Sequence, residues 1–488
     1  MASNLRTTNP FDEDKFREEC GVFGIWGHSD AAALTALGLH ALQHRGQEAA
    51  GIVSYDGEQF HSHRALGHVG DNFGTEKVIE QLLGRFAIGH NRYSTTGDTV
   101  LRNVQPLFAE FAFGGLAIAH NGNLTNAFQV RRRLVETGCL FQSTSDTEVI
   151  VHLIATSHKS TVVDRVVDAL RQVEGAYSLV ALTRKKLIGV RDPHGVRPLV
   201  LGKLEGSFIL ASETCALDII GAEHVRDVEP GELIVIDSNG LTSIKPFPEV
   251  NHRFCIFEYI YFARPDSVIE GSNVYLARKR IGQQLARENP VDADCVVPVP
   301  DSGVPAAIGY AEEAKIPFEL GIIRNHYVGR TFIEPTDSIR HLGVKLKHNA
   351  NSGQLRGQRV ILVDDSIVRG TTSKKIVEMV RQAGAKEVHM RIASPPTINS
   401  CFYGIDTPER SNLIASNHSV EEMARLIGVD SLAYLSMDGL YRAMGEAGRN
   451  AATPQYCDAC FTGEYPIRLT DMLEGTKPRQ LSLLSDAR

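Results

Sequence analysis

The fold of the second half of this chain is decided by one stretch, Arg359-Val-Ile-Leu-Val-Asp-Asp-Ser-Ile-Val-Arg-Gly-Thr-Thr-Ser373. Residues 360–363 form a short aliphatic run, which predicts a strand buried on both faces of a parallel sheet. Two carboxylates, Asp364 and Asp365, follow at the carboxyl end of that strand, where open α/β sheets bind ligands. The pattern that follows predicts a helix beginning near Ser373.

The loop between this strand and this helix has the composition of an anion-binding site. Hydroxyl and backbone N–H groups would surround one phosphate at the start of the helix, and they come from Arg369, Gly370, Thr371, Thr372 and Ser373. Carboxylates beside a phosphate would repel the ligand unless they face its sugar hydroxyls or a divalent cation. The stretch therefore predicts a site for a phosphorylated sugar and a metal ion.

An ordinary strand whose acidic pair caps the next helix is the plain alternative, and order and spacing argue against it. Hydrophobic strand, Asp-Asp and Gly-Thr-Thr together resemble the phosphoribosyl-pyrophosphate (PRPP) motif of type I phosphoribosyltransferases. The resemblance implies that Asp364 and Asp365 contact the ribose and Mg²⁺, and that the loop binds the 5-phosphate. The sequence has no Gly-x-x-x-x-Gly-Lys-Ser/Thr, which disfavours a P-loop nucleotide triphosphatase.

Length and composition restrict the class of protein. With 488 residues, 43% hydrophobic and 22% charged, the chain has room for two or three domains of globular composition. A net charge of −7 without a basic stripe argues against nucleic-acid binding. No apolar run approaches the length of a membrane span, which predicts no membrane partner. Eight cysteines without a secretory signal fit a reducing cytoplasm, the expected location.

The first half carries a cysteine and four motif blocks in a fixed order. Cys20 opens a short apolar strand, where a cysteine is in isolation usually a small buried hydrophobe. After it come Leu42-Gln-His-Arg-Gly-Gln-Glu-Ala-Ala-Gly51, Gly89-His-Asn-Arg-Tyr-Ser-Thr-Thr-Gly97, Ala119-His-Asn-Gly-Asn123 and Ser143-Thr-Ser-Asp-Thr-Glu148. In order and spacing these blocks resemble the signatures of class II (N-terminal nucleophile) glutamine amidotransferases.

Glutamine hydrolysis needs a thiolate nucleophile, a proton acceptor, an oxyanion hole and groups that hold the amino-acid end. The resemblance assigns the nucleophile to Cys20 and the oxyanion hole to the Asn121 side chain and the Gly122 N–H. It assigns the substrate carboxylate to Arg92 and the substrate ammonium to Asp146. Singly, Arg92 and Asp146 could be surface ion-pair members, and Asn121-Gly122 could be a turn.

Residues 1–19 are polar and acidic, with neither a hydrophobic signal region nor the composition of a mitochondrial transit peptide. A disordered tail is the simple interpretation. If residues 1–19 are cleaved as a propeptide, the freed α-amino group of Cys20 can act as the base, since its pKa of about 8 lies near the working pH.

The predicted fold class is α/β, with an α+β first half. The resemblance implies an N-terminal-nucleophile αββα sandwich in residues 20–250, followed by a type I phosphoribosyltransferase domain with a parallel sheet in residues 251–488. A Pro-Phe-Pro stretch near residue 246 marks the boundary. The pattern predicts a Pro/Gly turn at Arg191-Asp-Pro-His-Gly-Val-Arg-Pro198.

Two further stretches of the second half complete the predicted PRPP site. Asp301-Ser-Gly303 resembles the loop that contacts the pyrophosphate, with Ser302 a metal contact, although the same residues make a good turn. The basic stretch from Arg330 to Lys347 would usually be a solvated loop. Its likeness to the family's lid implies that it closes over the pyrophosphate and excludes water.

Four cysteines form the last predicted site. Cys457-Asp-Ala-Cys460 alone could be redox, zinc or iron–sulfur. Together with Cys255 and Cys401 it resembles the ligand set of a [4Fe–4S] cluster in one branch of the glutamine PRPP amidotransferases. Spacing alone does not separate that cluster from a zinc site. Cys139, Cys215 and Cys295 have the pattern of buried thiols.

Taken together, the chain resembles the glutamine PRPP amidotransferases from Cys20 to about residue 469. That family hydrolyses glutamine, passes the ammonia to PRPP and forms 5-phosphoribosylamine, glutamate and pyrophosphate, the first committed step of purine synthesis. The resemblance also implies purine nucleotides as feedback inhibitors and a homotetramer. Another class II amidotransferase would lack the Asp364-Asp365 loop, and a nucleotide-sensing regulator would leave the glutamine residues unexplained.

Overall fold

The computed structural model describes residues 20–93, 100–324 and 348–473. Contacts divide the chain into two compact units. Within the described residues, the amino-terminal unit consists of residues 20–255, Phe402–Asp406 and 465–473. The carboxy-terminal unit consists of Ile256–Cys401 and Thr407–Glu464 without the residues that are not described. The chain thus returns twice to the amino-terminal unit after leaving it.

Two antiparallel sheets form the centre of the amino-terminal unit. The seven-stranded sheet has the order β11-β9-β10-β1-β4-β2-β3, and the six-stranded sheet has the order β13-β12-β8-β7-β6-β5. The strands are β1 (Gly21–Trp26), β2 (Ala49–Tyr55), β3 (Phe60–Leu66), β4 (Phe86–Arg92), β5 (Leu107–Phe111), β6 (Gly114–Leu124), β7 (Gly175–Thr183), β8 (Leu187–Arg191), β9 (Val200–Leu204), β10 (Ser207–Ala211), β11 (Glu223–Asp227), β12 (Leu233–Asp237) and β13 (Gly240–Ile244); β14 (Phe254–Cys255) follows.

The helices of this unit cover the outer faces of both sheets. They are α1 (Ala31–Ala41), α2 (Val69–Phe73), α3 (Glu76–Ile79), α4 (Ala127–Glu136), α5 (Thr147–Thr156), α6 (Val162–Leu170) and α7 (Cys215–Asp218). Val22, Ile88 and Val180 belong to a core shared by the two sheets. A second core joins the seven-stranded sheet to α1 and α7, and a third joins the six-stranded sheet to α4, α5 and α6. The layers are therefore helix, sheet, sheet and helix, which confirms the predicted αββα sandwich.

A four-stranded parallel sheet of order β17-β20-β21-β22 forms the centre of the carboxy-terminal unit. Ile376, Val380 and Ile427 pack helices onto it. The unit contains β15 (Val268–Ile269), β16 (Ser272–Asn273), α8 (Val274–Glu288), β17 (Cys295–Pro298), α9 (Val304–Ala314), β18 (Ile322–Arg324), β19 (His348–Ala350), α10 (Ser352–Leu355), β20 (Arg359–Asp364), α11 (Thr371–Gln382), β21 (Glu387–Ile392), α12 (Ile414–Asn417), α13 (Val420–Ile427), β22 (Ser431–Tyr434), α14 (Met437–Ala443), β23 (Tyr456–Cys457) and α15 (Ala459–Thr462). The predicted α/β class with a parallel sheet is confirmed.

The last described element, α16 (Thr470–Leu473), packs on the amino-terminal unit, where Asp471 accepts hydrogen bonds from the start of α4. None of the helices in the described ranges has the length and apolar character that a membrane span requires. The basic stretch from Arg330 to Lys347 and the predicted propeptide lie outside the described residues.

Candidate active sites

Strand pairing brings Cys20 to the end of β4. Cys20 immediately precedes β1, whose first residue, Gly21, pairs with Asn91 of β4. The Cys20 thiol donates to the Tyr93 carbonyl oxygen, with a sulfur–oxygen distance of 3.5 Å. Burial raises the pKa of the Cys20 thiol to about 11, against the lowering effects of Tyr93 and Arg92. The thiol is therefore protonated near neutral pH, and a nearby base is needed to make it a nucleophile.

Arg92 and the loop before α5 are connected through Asn103. The buried Arg92 guanidinium donates to the Asn103 carbonyl oxygen. The Asn103 amide in turn donates to Thr144 Oγ1 at 2.8 Å and accepts from the Thr144 N–H at 2.9 Å. Asp146 follows two residues later and precedes the first residue of α5. The predicted carboxylate-binding arginine and ammonium-binding aspartate thus lie on segments joined by hydrogen bonds.

Asp146 is also bonded to the end of β6. Its Oδ2 accepts the Leu124 N–H at 2.9 Å, and its Oδ1 lies 3.8 Å from His120 Nδ1. Burial lowers the pKa of His120, which favours the neutral imidazole. Asp146 is largely buried, with 8% of its surface exposed.

Asn121 and Gly122 lie in β6, next to Ser178 and Tyr177 of β7. Asn121 is fully buried, and neither its amide nitrogen nor its amide oxygen has a hydrogen-bond partner among the residues that the structure describes. Gly122 has φ +141°, and a Cβ at this position would lie 2.0 Å from the Ala176 carbonyl oxygen, so only glycine fits. A buried amide without a partner lowers the stability of the fold by about 1–3 kcal/mol. A donor of this kind is suited to bind an oxygen atom that the substrate brings into the site.

Cys20, Arg92, Asn121, Gly122 and Asp146 thus lie in one unit at the connected ends of β1, β4 and β6. Asn103 and Gln105 contribute to the same network and were not predicted from the sequence. Gln105 accepts the His120 N–H at 2.8 Å and donates to Thr147 Oγ1 at 3.0 Å. Both residues lie outside the motif blocks, so no local signal identifies them.

The second site lies at the carboxyl end of β20. Asp364 ends this strand, and both Asp364 and Asp365 are buried. Asp365 donates its N–H to Asp364 Oδ1 at 2.9 Å and accepts the Ser366 hydroxyl on Oδ1 at 2.6 Å. Its other oxygen, Oδ2, is buried and has no hydrogen-bond partner in the described part of the chain. A carboxylate oxygen in that position is suited to a sugar hydroxyl or a divalent cation.

The predicted phosphate loop continues directly into α11. The helix begins at Thr371, two residues earlier than the sequence pattern predicts, because Gly370 adopts φ +81° and turns the chain into the first helical turn. Arg369 is exposed, whereas Thr372 and Ser373 are buried in that turn. The first turn contains no acidic residue and its N-cap residue, Gly370, makes no side-chain hydrogen bond, so the positive end of the helix dipole is not offset there by a carboxylate of the helix.

Ser302 lies in the loop after β17, which is the neighbour of β20 in the sheet. The Val299 N–H donates to the Val363 carbonyl oxygen at 2.8 Å. A Cβ on Gly303 would lie 2.4 Å from the same oxygen, so the loop packs closely against the end of β20. Ser302 and the acidic pair therefore lie at the same edge of the parallel sheet.

Within the carboxy-terminal unit, backbone hydrogen bonds form beside the predicted cluster cysteines, whereas Cys255 itself ends the longest part of the amino-terminal unit. Ile256, which follows Cys255, donates its N–H to the Cys457 carbonyl oxygen at 3.2 Å. Asn399, two residues before Cys401, donates its N–H to the Cys460 carbonyl oxygen at 3.0 Å. Cys255, Cys457 and Cys460 are buried, and Cys401 is half-buried. In the described ranges, however, no group of three or more His, Cys, Asp or Glu side chains is arranged to hold a metal ion.

Two family models match the chain, one in each half, and they follow the order of the motifs described above. Residues 90–218 match the model of a glutamine amidotransferase domain. Residues 267–393 match the model of a phosphoribosyl transferase domain.

Whole-chain relatives combine both domains. An amidophosphoribosyltransferase of Rhizobium etli is 60% identical and covers 99% of each chain. One of Bacillus subtilis is 50% identical over 93% of this chain and 95% of its own. Among solved structures, a Bacillus subtilis glutamine PRPP amidotransferase complexed with ADP and GMP has a TM-score of 0.87 and 49% identity, covering 92% of this chain and 98% of that one. A structure described as the allosteric regulatory enzyme of purine biosynthesis has a TM-score of 0.88 and the same identity, covering 92% and 97%.

Proposed function

The chain belongs to the amidophosphoribosyltransferase family, and on that premise we propose which residues perform its two half-reactions. The enzyme is a glutamine-dependent phosphoribosyltransferase of purine biosynthesis. Its overall reaction converts glutamine, PRPP and water into 5-phosphoribosylamine, glutamate and pyrophosphate. We assign glutamine hydrolysis to residues 20–250 and the transfer to PRPP to residues 251–488.

In the first half-reaction, the Cys20 sulfur attacks the glutamine carboxamide and a negative charge develops on its oxygen. The Asn121 amide and the Gly122 N–H stabilise that charge, Arg92 binds the substrate carboxylate, and Asp146 binds its ammonium. The observation that carries this proposal is the fully buried Asn121 amide without a partner. Such a donor is prepared before the reaction and costs no reorganisation when the oxyanion forms.

Replacing Asn121→Ala tests this assignment. We expect the kcat for glutamine hydrolysis to fall about 10²- to 10³-fold with little change in KM, because the lost donor acts mainly in the transition state. We also expect the free energy of unfolding to stay level or rise, since a buried amide without a partner is removed. Steady-state glutaminase assays and denaturant titrations measure the two quantities.

Asn126→Ala is the matched control, because Asn126 is equally buried and its amide bonds Gln172 and Glu174. This variant should lose stability and keep its kcat. Equal losses of kcat in the two variants would contradict the assignment.

We propose that residues 1–19 are a propeptide whose removal frees the α-amino group of Cys20. The raised pKa of the Cys20 thiol supports this proposal, because only about one thiol in 10⁴ is ionised at pH 7 when the pKa is about 11. A neutral amine on the same residue, with a pKa of about 8, accepts the thiol proton within the physiological range.

The pH dependence of Cys20 alkylation separates the two forms. In a chain that begins at Cys20, the rate with iodoacetamide should rise through about pH 8, where the amine becomes neutral. In the chain with residues 1–19, the rate should continue to rise toward pH 11, because only direct ionisation of the thiol increases it. Peptide mass mapping follows Cys20 alone, and identical profiles for the two chains would contradict the proposal.

In the second half-reaction, ammonia displaces pyrophosphate from C1 of the ribose. Asp364 and Asp365 hold the ribose hydroxyls, and together with Ser302 they would hold Mg²⁺; the buried Asp365 Oδ2, which has no partner among the described residues, supports this role. Backbone and hydroxyl groups of Arg369–Ser373 bind the 5-phosphate. When bound, Mg²⁺ offsets the negative charge of the leaving pyrophosphate. The lid role of residues 330–347 stays a prediction.

We propose that Cys255, Cys401, Cys457 and Cys460 hold a [4Fe–4S] cluster. The support is four soft thiol ligands on segments joined by backbone hydrogen bonds. Asp458 holds the Cys457–Cys460 turn in place, because its carboxylate accepts Tyr441 at 2.8 Å and Arg449 at 2.6 Å. Neither half-reaction transfers electrons, so the cluster would be structural or sense oxygen.

Iron and sulfide analysis of anaerobically purified protein tests the cluster. We expect about four irons per chain in the wild type, and a loss of iron and of visible absorbance in Cys401→Ser. Cys139→Ser is the control, because Cys139 is also half-buried and is not among the proposed ligands. Stoichiometric zinc without colour would contradict the proposal.

A relative at 49% identity is complexed with ADP and GMP, which supports the proposal that purine nucleotides bind and regulate this enzyme. A cytoplasmic location and a homotetramer stay predictions from the family resemblance.

A further inference from the structure

The first of the two returns of the chain, Phe402–Asp406, is termed here the return segment. We propose that its backbone positions Gly122, one of the two oxyanion donors, so that the segment tunes glutamine hydrolysis without touching the substrate. The inference rests on the proposed oxyanion role of Asn121 and Gly122. The return segment belongs to the amino-terminal unit, although 146 residues separate it from Cys255, where the longest part of that unit ends.

Gly404 packs directly on Gly122. Gly404 adopts φ +114°, and a Cβ built on it would lie 3.0 Å from the Gly122 Cα and 3.2 Å from its carbonyl carbon. Gly122 has little room to withdraw, because its own Cβ direction points at the Ala176 carbonyl oxygen of β7. The Gly122 peptide is therefore held between β7 and the return segment.

Three anchors fix the return segment in this place. The Asn123 amide donates to the Phe402 carbonyl oxygen at 3.0 Å. The fully buried Arg197 donates through Nε to the Tyr403 carbonyl oxygen at 2.8 Å. The Tyr403 hydroxyl donates to the Ile467 carbonyl oxygen at 2.7 Å and accepts the Ile467 N–H at 2.9 Å. Hydrogen bonds from a charged donor are stronger than those between neutral groups, so the Arg197 anchor is strong.

Arg197 also connects the return segment to the strand beside Asn121. Its carbonyl oxygen accepts the Ser178 hydroxyl at 3.2 Å, and Ser178 is the β7 partner of Asn121. Arg197 therefore contacts both the return segment, which packs on Gly122, and the β7 residue that pairs with Asn121. Oxyanion donors act at about 2.7–3.1 Å, so a displacement of a few tenths of an ångström at Gly122 weakens the interaction.

Gly404→Ala tests the inference, with Gly240→Ala as the matched control. Gly240 lies in the same unit with φ +106°, so a side chain meets similar backbone strain, but none of the described residues lies within 4 Å of its Cβ position. Both variants, purified in the same processed form as the wild type, should therefore lose stability through this backbone strain. Only Gly404→Ala places a methyl group against Gly122.

The readout separates positioning from general disruption. Glutamate γ-semialdehyde binds Cys20 as a tetrahedral adduct that needs the oxyanion hole, whereas iodoacetamide alkylates Cys20 without it. Gly404→Ala should weaken aldehyde binding and lower the glutaminase kcat by about tenfold or more, with the glutamine KM and the alkylation rate within about twofold of wild type. Gly240→Ala should change none of these. Equal aldehyde affinity in the two variants, or an alkylation rate that falls as far as the affinity, would overturn the inference.

Tyr403→Phe keeps the test valid if Gly404→Ala fails to fold. This variant removes the hydroxyl that anchors the segment to Ile467, and it adds neither bulk nor backbone strain. Aldehyde affinity should fall about threefold or more, and Tyr55→Phe, which loses a hydroxyl bond to Gly57 in the same unit, should leave it unchanged. An unchanged affinity in Tyr403→Phe would overturn the inference. Failure of the proposed function would differ, because the wild type and Asn121→Ala would then hydrolyse glutamine equally.

Discussion

Cys20→Ala is expected to abolish glutamine-dependent formation of phosphoribosylamine and to leave ammonia-dependent formation close to the wild-type rate. The variant lacks the proposed nucleophile of the first half-reaction, and losses of such a group reach about 10⁴-fold or more. Asp364 and Asp365, proposed for the acceptor site, belong to the other compact unit and lie beside the predicted phosphate loop, so the substitution leaves the proposed site for added ammonia unchanged. Pyrophosphate release with glutamine or with ammonium chloride as nitrogen source measures both rates.

Cys139→Ala is the control for this experiment. Cys139 lies in the same unit and is half-buried, but it belongs to none of the hydrogen-bonded segments around Cys20. Both nitrogen sources should support wild-type rates in this variant. A Cys20→Ala enzyme that still consumed glutamine would show that another residue is the nucleophile.

The fold class could be predicted because its signals are local. The run of residues 360–363 forms the buried β20, and the small residues after Asp365 form the loop to α11. The helix begins two residues before its predicted start, because the positive φ of Gly370, rather than hydrophobic periodicity, determines where the first turn forms. Motif order was equally informative, because three of the four blocks end a strand or precede a helix of the amino-terminal unit, and Leu42–Gly51 joins α1 to β2.

Contacts over long sequence separations could not be predicted in the same way. Residues 191–198 have the composition of a turn, yet Arg191 and Arg197 are fully buried and bond backbone carbonyl groups. The return segment lies within the predicted second domain in chain order and packs in the amino-terminal unit. The side chains of Asn103 and Thr144 are also hydrogen-bonded, although they lie 41 positions apart in the sequence. Hydrophobic periodicity and motif spacing do not predict such contacts, because the contacts depend on the tertiary arrangement of the folded sheets.

Asp365→Asn is expected to produce the largest loss in the second half-reaction. The substitution keeps the shape of the side chain and removes the charge of an oxygen that is buried and has no hydrogen-bond partner. If that oxygen serves the ribose or Mg²⁺, both glutamine- and ammonia-dependent rates should fall by about 10²-fold or more, because a positioned charge in the transition state is lost. Hydrolysis of glutamine without PRPP and alkylation of Cys20 should stay at wild-type rates.

Stability adds an independent prediction for the same variant. Asp365→Asn should be more stable than wild type by about 1–3 kcal/mol in denaturant titrations without PRPP, because an uncompensated buried carboxylate oxygen becomes neutral. Asp430→Asn is the control, since Asp430 bonds Arg381 and the Val388 N–H, both at 2.7 Å, and should lose stability without losing turnover. A purely structural Asp365 would behave like Asp430. A gain in stability together with the loss of PRPP turnover would instead show that this carboxylate is kept for its ligand, at the expense of the fold.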